Sequence, residues 1–356
     1  FAFVQEQTIV PFQLVPQNTN FDFLGRRVMF NLGSVAMLVV GIVAVIVRGG
    51  PPIGIDFAGG TEVQLVFDQG VAVDESSVRQ VAHEAGFLDA TVVRFGEANS
   101  SEFLIKFKGE PTSGLSAEEQ DGLAANARVA RLEGTIREQI GGFTEQRVEY
   151  VGPKVGEDLR RDGMNALLMS AVAILIYVAF RFSSRYAPGA VIALVHDVLV
   201  TSALLVMANG FVRIEFDLQI LAALLAIVGY SLNDTIIIYD RIRENLAAHS
   251  NEDLEKVLNM SVNQTLSRTL LTSGLTFLAV LSLLVFGGEV FRGFALTMVI
   301  GIAVGSYSSI FIASPILLFL EQRASSSKGS RKGKGSSALR GASVMRGTTA
   351  RTSRTG

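Results

Sequence analysis

The sequence predicts an α-helical membrane protein: six transmembrane helices arranged one plus five, with an extramembrane α+β ferredoxin-like domain between helices 1 and 2. Three observations predict it. The chain of 356 residues is 49% hydrophobic and only 18% charged, with a mean hydropathy of +0.40, whereas a soluble domain holds about 25% charged residues. The apolar residues gather in six runs, near 28–47, 163–181, 188–209, 216–239, 267–287 and 293–320. Each is long enough for the roughly 20 helical residues that cross a hydrocarbon core. The first run is separated from the other five by about 115 mostly polar residues that read as strands and helices.

Taken in order, residues 1–27 form a mixed N-terminal segment. No basic region precedes a short apolar core there, so it does not read as a signal peptide. After the first span (28–47) comes Gly54-Ile-Asp-Phe-Ala-Gly-Gly60. No Gly-Lys-Ser/Thr follows and the dinucleotide spacing is absent, so this is not a phosphate loop. Gly54, Gly59 and Gly60 are expected to permit a tight turn, with Asp56 capping it. Thr61–Phe67 alternates apolar and polar residues as a strand does. Asp74–Ala85 reads as a helix with Asp74 at its N-cap and Val78, Val81 and Ala82 on one face. Ala90–Phe95 and Phe103–Phe107 are strands, Ser116–Ile140 is a helix opened by a Ser116/Glu119 capping box, and Phe143–Val151 is a last strand. The order β-α-β-β-α-β is that of the ferredoxin-like motif. This extracytoplasmic domain spans 48–162, the five-helix bundle 163–320, and a disordered basic tail 321–356. The tail's composition gives it too little apolar surface to fold.

Orientation follows the distribution of Lys and Arg. Arg26, Arg27, Arg181, Arg185, Arg241, Arg243 and Lys256 fall on one side if the helices alternate, together with a tail holding nine basic residues. Arg160, Arg161, Arg213 and Arg292 fall on the other. Both termini are therefore expected in the cytoplasm. The tail is solvated, or it attaches electrostatically to anionic lipid or ribosomal RNA. The chain has no Cys, which excludes disulfides, iron–sulfur clusters and thiol catalysis. His83, His196 and His249 are scattered, so no metal site is expected. No cofactor motif and no nucleophile–base pair stands out, so the chain does not read as an enzyme.

The functional signal lies inside the apolar runs. Asn233 and Asp234 sit within the fourth span, Arg268 near the start of the fifth, and His196 and Asp197 within the third. An ionised side chain there costs roughly 2.5–3.5 kcal/mol on insertion scales, so it marks function by default. Counted at 1.5 Å per residue from the cytoplasmic ends, these residues lie at similar depths, within reach of a long Arg side chain. Ser306, Ser308 and Ser309 of the sixth span would add hydroxyls near the middle. One reading is a switch in which Arg268 approaches or leaves Asp234 as it gains and loses a proton. The other is a static polar cluster joining the helices. For His196 and Asp197 both a packing role and a proton relay stay open. Asp240, Arg241, Arg243 and Glu244 read as interfacial anchors, and the stretches 273–277 and 282–288 as ordinary membrane helix.

Several stretches resemble the SecF family, the smaller membrane partner of SecD in bacterial protein export. They are Asn18-Thr-Asn-Phe-Asp-Phe-Leu-Gly-Arg26, Gly54-Ile-Asp-Phe-Ala-Gly-Gly-Thr61, Val151-Gly-Pro-Lys-Val-Gly156, Gly229-Tyr-Ser-Leu-Asn-Asp-Thr235 with Tyr239-Asp-Arg-Ile-Arg-Glu-Asn245, Asn263-Gln-Thr-Leu-Ser-Arg-Thr-Leu-Leu-Thr-Ser273, and Gly301 to Pro315. The resemblance covers roughly 15–320 and implies membership of the resistance–nodulation–division superfamily. It implies a bacterial inner-membrane subunit that uses the proton-motive force with SecD to promote late translocation of an unfolded polypeptide. It also implies contacts with the SecYEG translocon and YajC-like or YidC-like subunits. Asp234 and Arg268 would take part in proton movement, with Asn233 in support. The alternatives are a half-transporter of the superfamily exporting a lipid or small molecule, and a non-conducting translocon scaffold.

Overall fold

The computed structural model describes residues 19–68, 73–95, 100–108, 117–182, 185–210, 212 and 214–323. The basic tail beyond Arg323, Asn18, Arg213 and the Ser116 end of the capping box lie outside the described residues. Helix α1 (Arg27–Val47) leads into a one-turn helix α2 (Ile55–Ala58), then β1 (Gly60–Phe67), α3 (Glu75–Glu84), β2 (Thr91–Phe95), β3 (Glu102–Phe107), α4 (Ala117–Gln139) and β4 (Phe143–Val151). The bundle follows as α5 (Pro153–Arg181), α6 (Ala187–Ala208), α7 (Leu218–Ala248), α8 (Leu254–Phe286) and α9 (Gly288–Ser308). A π-helical turn, Ser309–Ala313, carries α9 onward to Arg323.

The four strands form an antiparallel sheet in the order β2–β3–β1–β4, with Val63 opposite both Ile105 and Val148. Alternation places Val63, Leu65, Phe67, Phe103, Ile105 and Phe107 on one face, all buried. Val78, Val81 and Ala82 of α3 and Val129, Leu132 and Ile136 of α4 join them in a single core. The Asp74 cap forms as expected, accepting from the Ser77 amide at 2.8 Å. The Ser76 and Ser77 hydroxyls hold its pKa down at about 2. The other face of the sheet is polar and turns toward the bundle.

Six helices are long and apolar enough to cross a membrane. Three of them outrun the apolar segments that announce them. α5 starts at Pro153, ten residues before 163, because Gly152 and Pro153 make an extended cap followed by a preset first turn. α7 runs to Ala248 and α8 begins at Leu254, well outside 239 and 267. Polar contacts keep those ends paired: Asn245 Nδ2 donates to Ser261 Oγ and to Gln264 Oε1, both at 2.9 Å. Hydropathy marks the part of a helix in lipid, not where its hydrogen bonding stops.

Two joints fix the frame. At the sheet end, Gly54 and Phe216 pair by backbone, with Phe216 N donating to Pro52 O at 2.6 Å. There Lys106 Nζ lies 3.2 Å from Glu62 and 3.6 Å from Glu215. Burial opposes the Lys106 charge, but the two carboxylates outweigh it and raise its pKa. At the far end of the bundle, the segment before α1 is clamped to α8. Asn263 accepts from the Phe21 amide and donates to its carbonyl, both at 2.9 Å, and Asn259 accepts from Phe23 N. Arg27 pairs with Glu255 at 2.6 Å.

Candidate functional site

The bundle core contains a belt of buried polar side chains at one level, contributed by α6, α7, α8 and α9. Asp234 on α7 is fully buried. Its Oδ2 accepts from Ser273 Oγ of α8 at 2.7 Å and from Ser306 Oγ of α9 at 3.5 Å, while Oδ1 has no partner. Asp197 of α6 is also buried. It meets His196 Nδ1 at 3.0 Å and accepts from Ser231 Oγ and Ser308 Oγ. Ser231 stands one turn from Asp234 on α7. Thr235 Oγ1, on the same helix, is 2.9 Å from Ser309 Oγ. His196 is itself buried, and its Nε2 has no partner.

The belt holds two carboxylates and one imidazole. Among the described residues no Lys or Arg side chain is buried with them. The Asp234–Arg268 pair expected from matching depths is not formed. Arg268 is exposed on the outer face of α8, and no ion pair joins it to Asp234 among the described residues. The register of the antiparallel α7–α8 pair explains this. Asn245 meets Ser261 and Asp234 meets Ser273, so Arg268 is five residues short of the level of Asp234, about 7.5 Å along the axis. Thr269, the next residue, points inward and is buried. Asn233 is likewise exposed, about 100° around α7 from Asp234.

Ser308 and Ser309 do enter the belt, against Asp197 and Thr235. Ser273, expected to be ordinary membrane helix, is the shortest partner of Asp234. A signal for it existed in its seven-residue spacing from Leu266, which repeats the buried stripe of α8, but a lone Ser in an apolar run does not announce itself. Tyr230 shares the Asp234 face in part, with its hydroxyl buried and unpartnered.

The glycine motif is a separate structure. Gly59 and Gly60 have φ of 74° and 154°, the left-handed region expected. Gly54 does not: it is extended and caps α2 at φ −74°. Asp56 does not cap its own turn. Its Oδ2 accepts from the Leu218 amide at 2.9 Å, so it caps the start of α7 alongside Asp217, which accepts from Ile220 N at 2.8 Å.

The family described as "Protein export membrane protein SecD/SecF, C-terminal" matches residues 133–323, and the "SecD/SecF GG Motif" matches 54–71. The chain belongs to the SecD/SecF family. Its SecF relatives include the "Protein translocase subunit SecF" of Calditerrivibrio nitroreducens, 41% identical over 314 residues, covering 87% of this chain and 97% of the relative. The Pseudomonas aeruginosa protein of the same name is 40% identical, covering 84% and 91%. The crystal structure of SecDF from Thermus thermophilus, described as a translocon-associated membrane protein, superposes with a TM-score of 0.72 at 33% identity. That comparison covers 88% of this chain and 40% of the longer SecDF chain. This SecD/SecF member is thus a multi-pass transport protein with a small sheet domain, and the GG motif packs against the start of α5 and caps the start of α7.

Proposed function

We propose that the chain is a SecF-type translocase subunit that works with SecD, using the proton-motive force to promote late polypeptide translocation across the bacterial inner membrane. The observation that supports this is Asp234: a fully buried carboxylate with hydroxyl partners and, among the described residues, no ion pair. Such a group in hydrocarbon is far cheaper protonated than ionised. A charge crossing the membrane potential gains about 2.3 kcal/mol per 100 mV. Proton binding at Asp234 therefore has both a place and a driving force.

In this reading both termini and the basic tail are cytoplasmic, the tail lying near anionic lipid, and the sheet domain (48–162) is extracytoplasmic. The strand order β2–β3–β1–β4 with two helices on one face supports assigning that domain to the ferredoxin-like class. The polypeptide in transit meets this domain, and SecYEG with YajC-like or YidC-like subunits completes the assembly. Arg268 and Asn233 face a second helical bundle, that of SecD. Arg268 then acts across that interface and not on Asp234 within the chain.

The test is translocation into vesicles with and without a proton gradient. Asp234→Asn in an assembled complex is expected to abolish the gradient-dependent component and leave the remainder. Full gradient dependence in that variant refutes the proton role; loss of assembly with it favours a scaffold.

A further inference from the structure

We propose that His196 and Asp197 form a second proton-binding site, so that the belt takes up two protons, one at this dyad and one at Asp234. The inference rests on the proton role of Asp234 and extends it.

The argument is a charge count in a medium that does not tolerate charge. The belt contains Asp197, Asp234 and His196, and no buried Lys or Arg accompanies them among the described residues. With no protons beyond a neutral imidazole, it would hold two ionised carboxylates: Asp197, bonded to α7 and α9, and Asp234 of α7, bonded to α8 and α9. Ser231 and Asp234 are one turn apart on α7, and Ser306 and Ser308 are two residues apart on α9. Taking two ionised carboxylates out of water without a cation is costly. The belt is neutral only with two protons bound. Asp234 has no base beside it, so one proton sits on its own carboxyl. The other rests on the Asp197 carboxyl, beside a neutral imidazole.

The geometry of the dyad suits exchange. Nδ1 is 3.0 Å from Oδ1, and the opposite ring nitrogen, Nε2, is buried and unpartnered. A proton delivered by water to Nε2 forms one N–H bond there. The Nδ1 proton passes to Oδ1, which leaves a neutral carboxyl and the other imidazole tautomer. Ser231 keeps Oδ2 occupied throughout. The titratable groups around the dyad are Asp234 and Tyr230 on α7 and Tyr307 on α9, whose ring centroid is 6.2 Å from that of His196. The Tyr307 hydroxyl is committed to Phe30 O and Ser34 of α1. None of these supplies a positive charge.

Infrared difference spectroscopy of the SecD-containing complex during a pH titration reads protonated carboxyls directly. Two carboxyl bands are expected to appear as the pH falls. Asp197→Asn should remove one and Asp234→Asn the other. His196→Gln, which keeps a hydrogen-bonding group beside Oδ1, should move the midpoint of the Asp197 band by more than about half a unit and leave the Asp234 band nearly in place. The inference is overturned if Asp197→Asn leaves the titration as in the parent, or if the Asp197 band is present but constant. Should Asp197→Asn fail to assemble, an unmoved midpoint in His196→Gln overturns it instead. If Asp234→Asn leaves the titration unchanged, the reading of Asp234 fails whatever Asp197 does.

Discussion

Gly301 of α9 packs against Ile227 of α7, and the contact allows a prediction with opposite signs built in. A Cβ at 301 would stand 2.0 Å from Ile227 Cδ1, 2.4 Å from Cγ1 and 3.0 Å from Cγ2. Ile227 is fully buried, so it cannot swing away into lipid. Gly301→Ala alone gains about 1 kcal/mol of helix propensity and loses about 1–3 kcal/mol to overpacking. The net is a destabilisation of about 0–2 kcal/mol. Ile227→Ala costs about 2–5 kcal/mol in water-soluble cores; here the cost should sit low in that range, because lipid tails are as apolar as the core. In the double variant every atom that the new Cβ meets is gone. The overpacking term vanishes and the propensity gain remains, so the double variant should be about 1 kcal/mol more stable than Ile227→Ala. The coupling energy is then about 1–3 kcal/mol in favour of the pair. Reversible unfolding in mixed micelles, or steric trapping in bicelles, measures all three variants. Additivity within about 0.5 kcal/mol would refute the packing argument and with it the close approach of α7 and α9 that aligns Ser231 with Ser308.

Asn263→Ala unpairs the Phe21 amide and leaves the Phe21 carbonyl with Asn259 Nδ2; hydrogen exchange at the Phe21 amide should quicken about tenfold, near 1.4 kcal/mol, with exchange in the sheet unchanged. Glu133 of α4 is desolvated and faces Glu145, which together raise its pKa to about 7. Its folded value therefore lies above the unfolded one: its stabilisation is complete below about pH 4.5 and is lost as pH rises through about 7. Glu133→Gln should flatten that pH dependence and slow exchange in β4 at pH 8. Exchange with the parent's pH profile in the variant would show that another group is responsible.

How much was legible follows from what kind of signal each residue sends. Asp234, Asp197 and His196 stood out because an ionisable group in an apolar run has no neutral explanation, and all three are buried in one belt. The alternation of Val63, Leu65 and Phe67 with polar neighbours read directly as a two-faced strand, since one face had to be covered by α3 and α4. Partnership was not legible. Asp234 lies five residues from the end of its apolar run and Arg268 one residue into its own, within reach of a long Arg side chain, but register and facing are set by side chains outside those runs. Asn245 with Ser261 sets them at the far end, and Arg268 is left more than a turn from Asp234, on the outer face of α8. Asp56 misled for a similar reason: a carboxylate in a turn caps the nearest free amides in space, and those belong to α7, 162 residues on.

Arg268 and Asn233 leave an argument that can be tested on its own. An exposed guanidinium on a membrane helix has three ways to escape its cost of about 2.5–3.5 kcal/mol: snorkelling to an interface, a water-filled crevice, or a partner helix. Asn233 is too short to snorkel, and it lies on the neighbouring helix, so a shared partner surface accounts for both residues where snorkelling accounts for one. The absence of Cys from the chain makes single-site labelling clean. A bimane probe on Asn233→Cys or Arg268→Cys should be quenched by brominated lipid in the chain alone and protected by at least about half once SecD is co-reconstituted. A probe on Phe180→Cys, far out on α5 and 89% exposed, should be quenched equally in both. If the probes at 233 and 268 follow the one at 180, the two polar residues face lipid in the complex. The partner surface would then have to be sought elsewhere on the bundle.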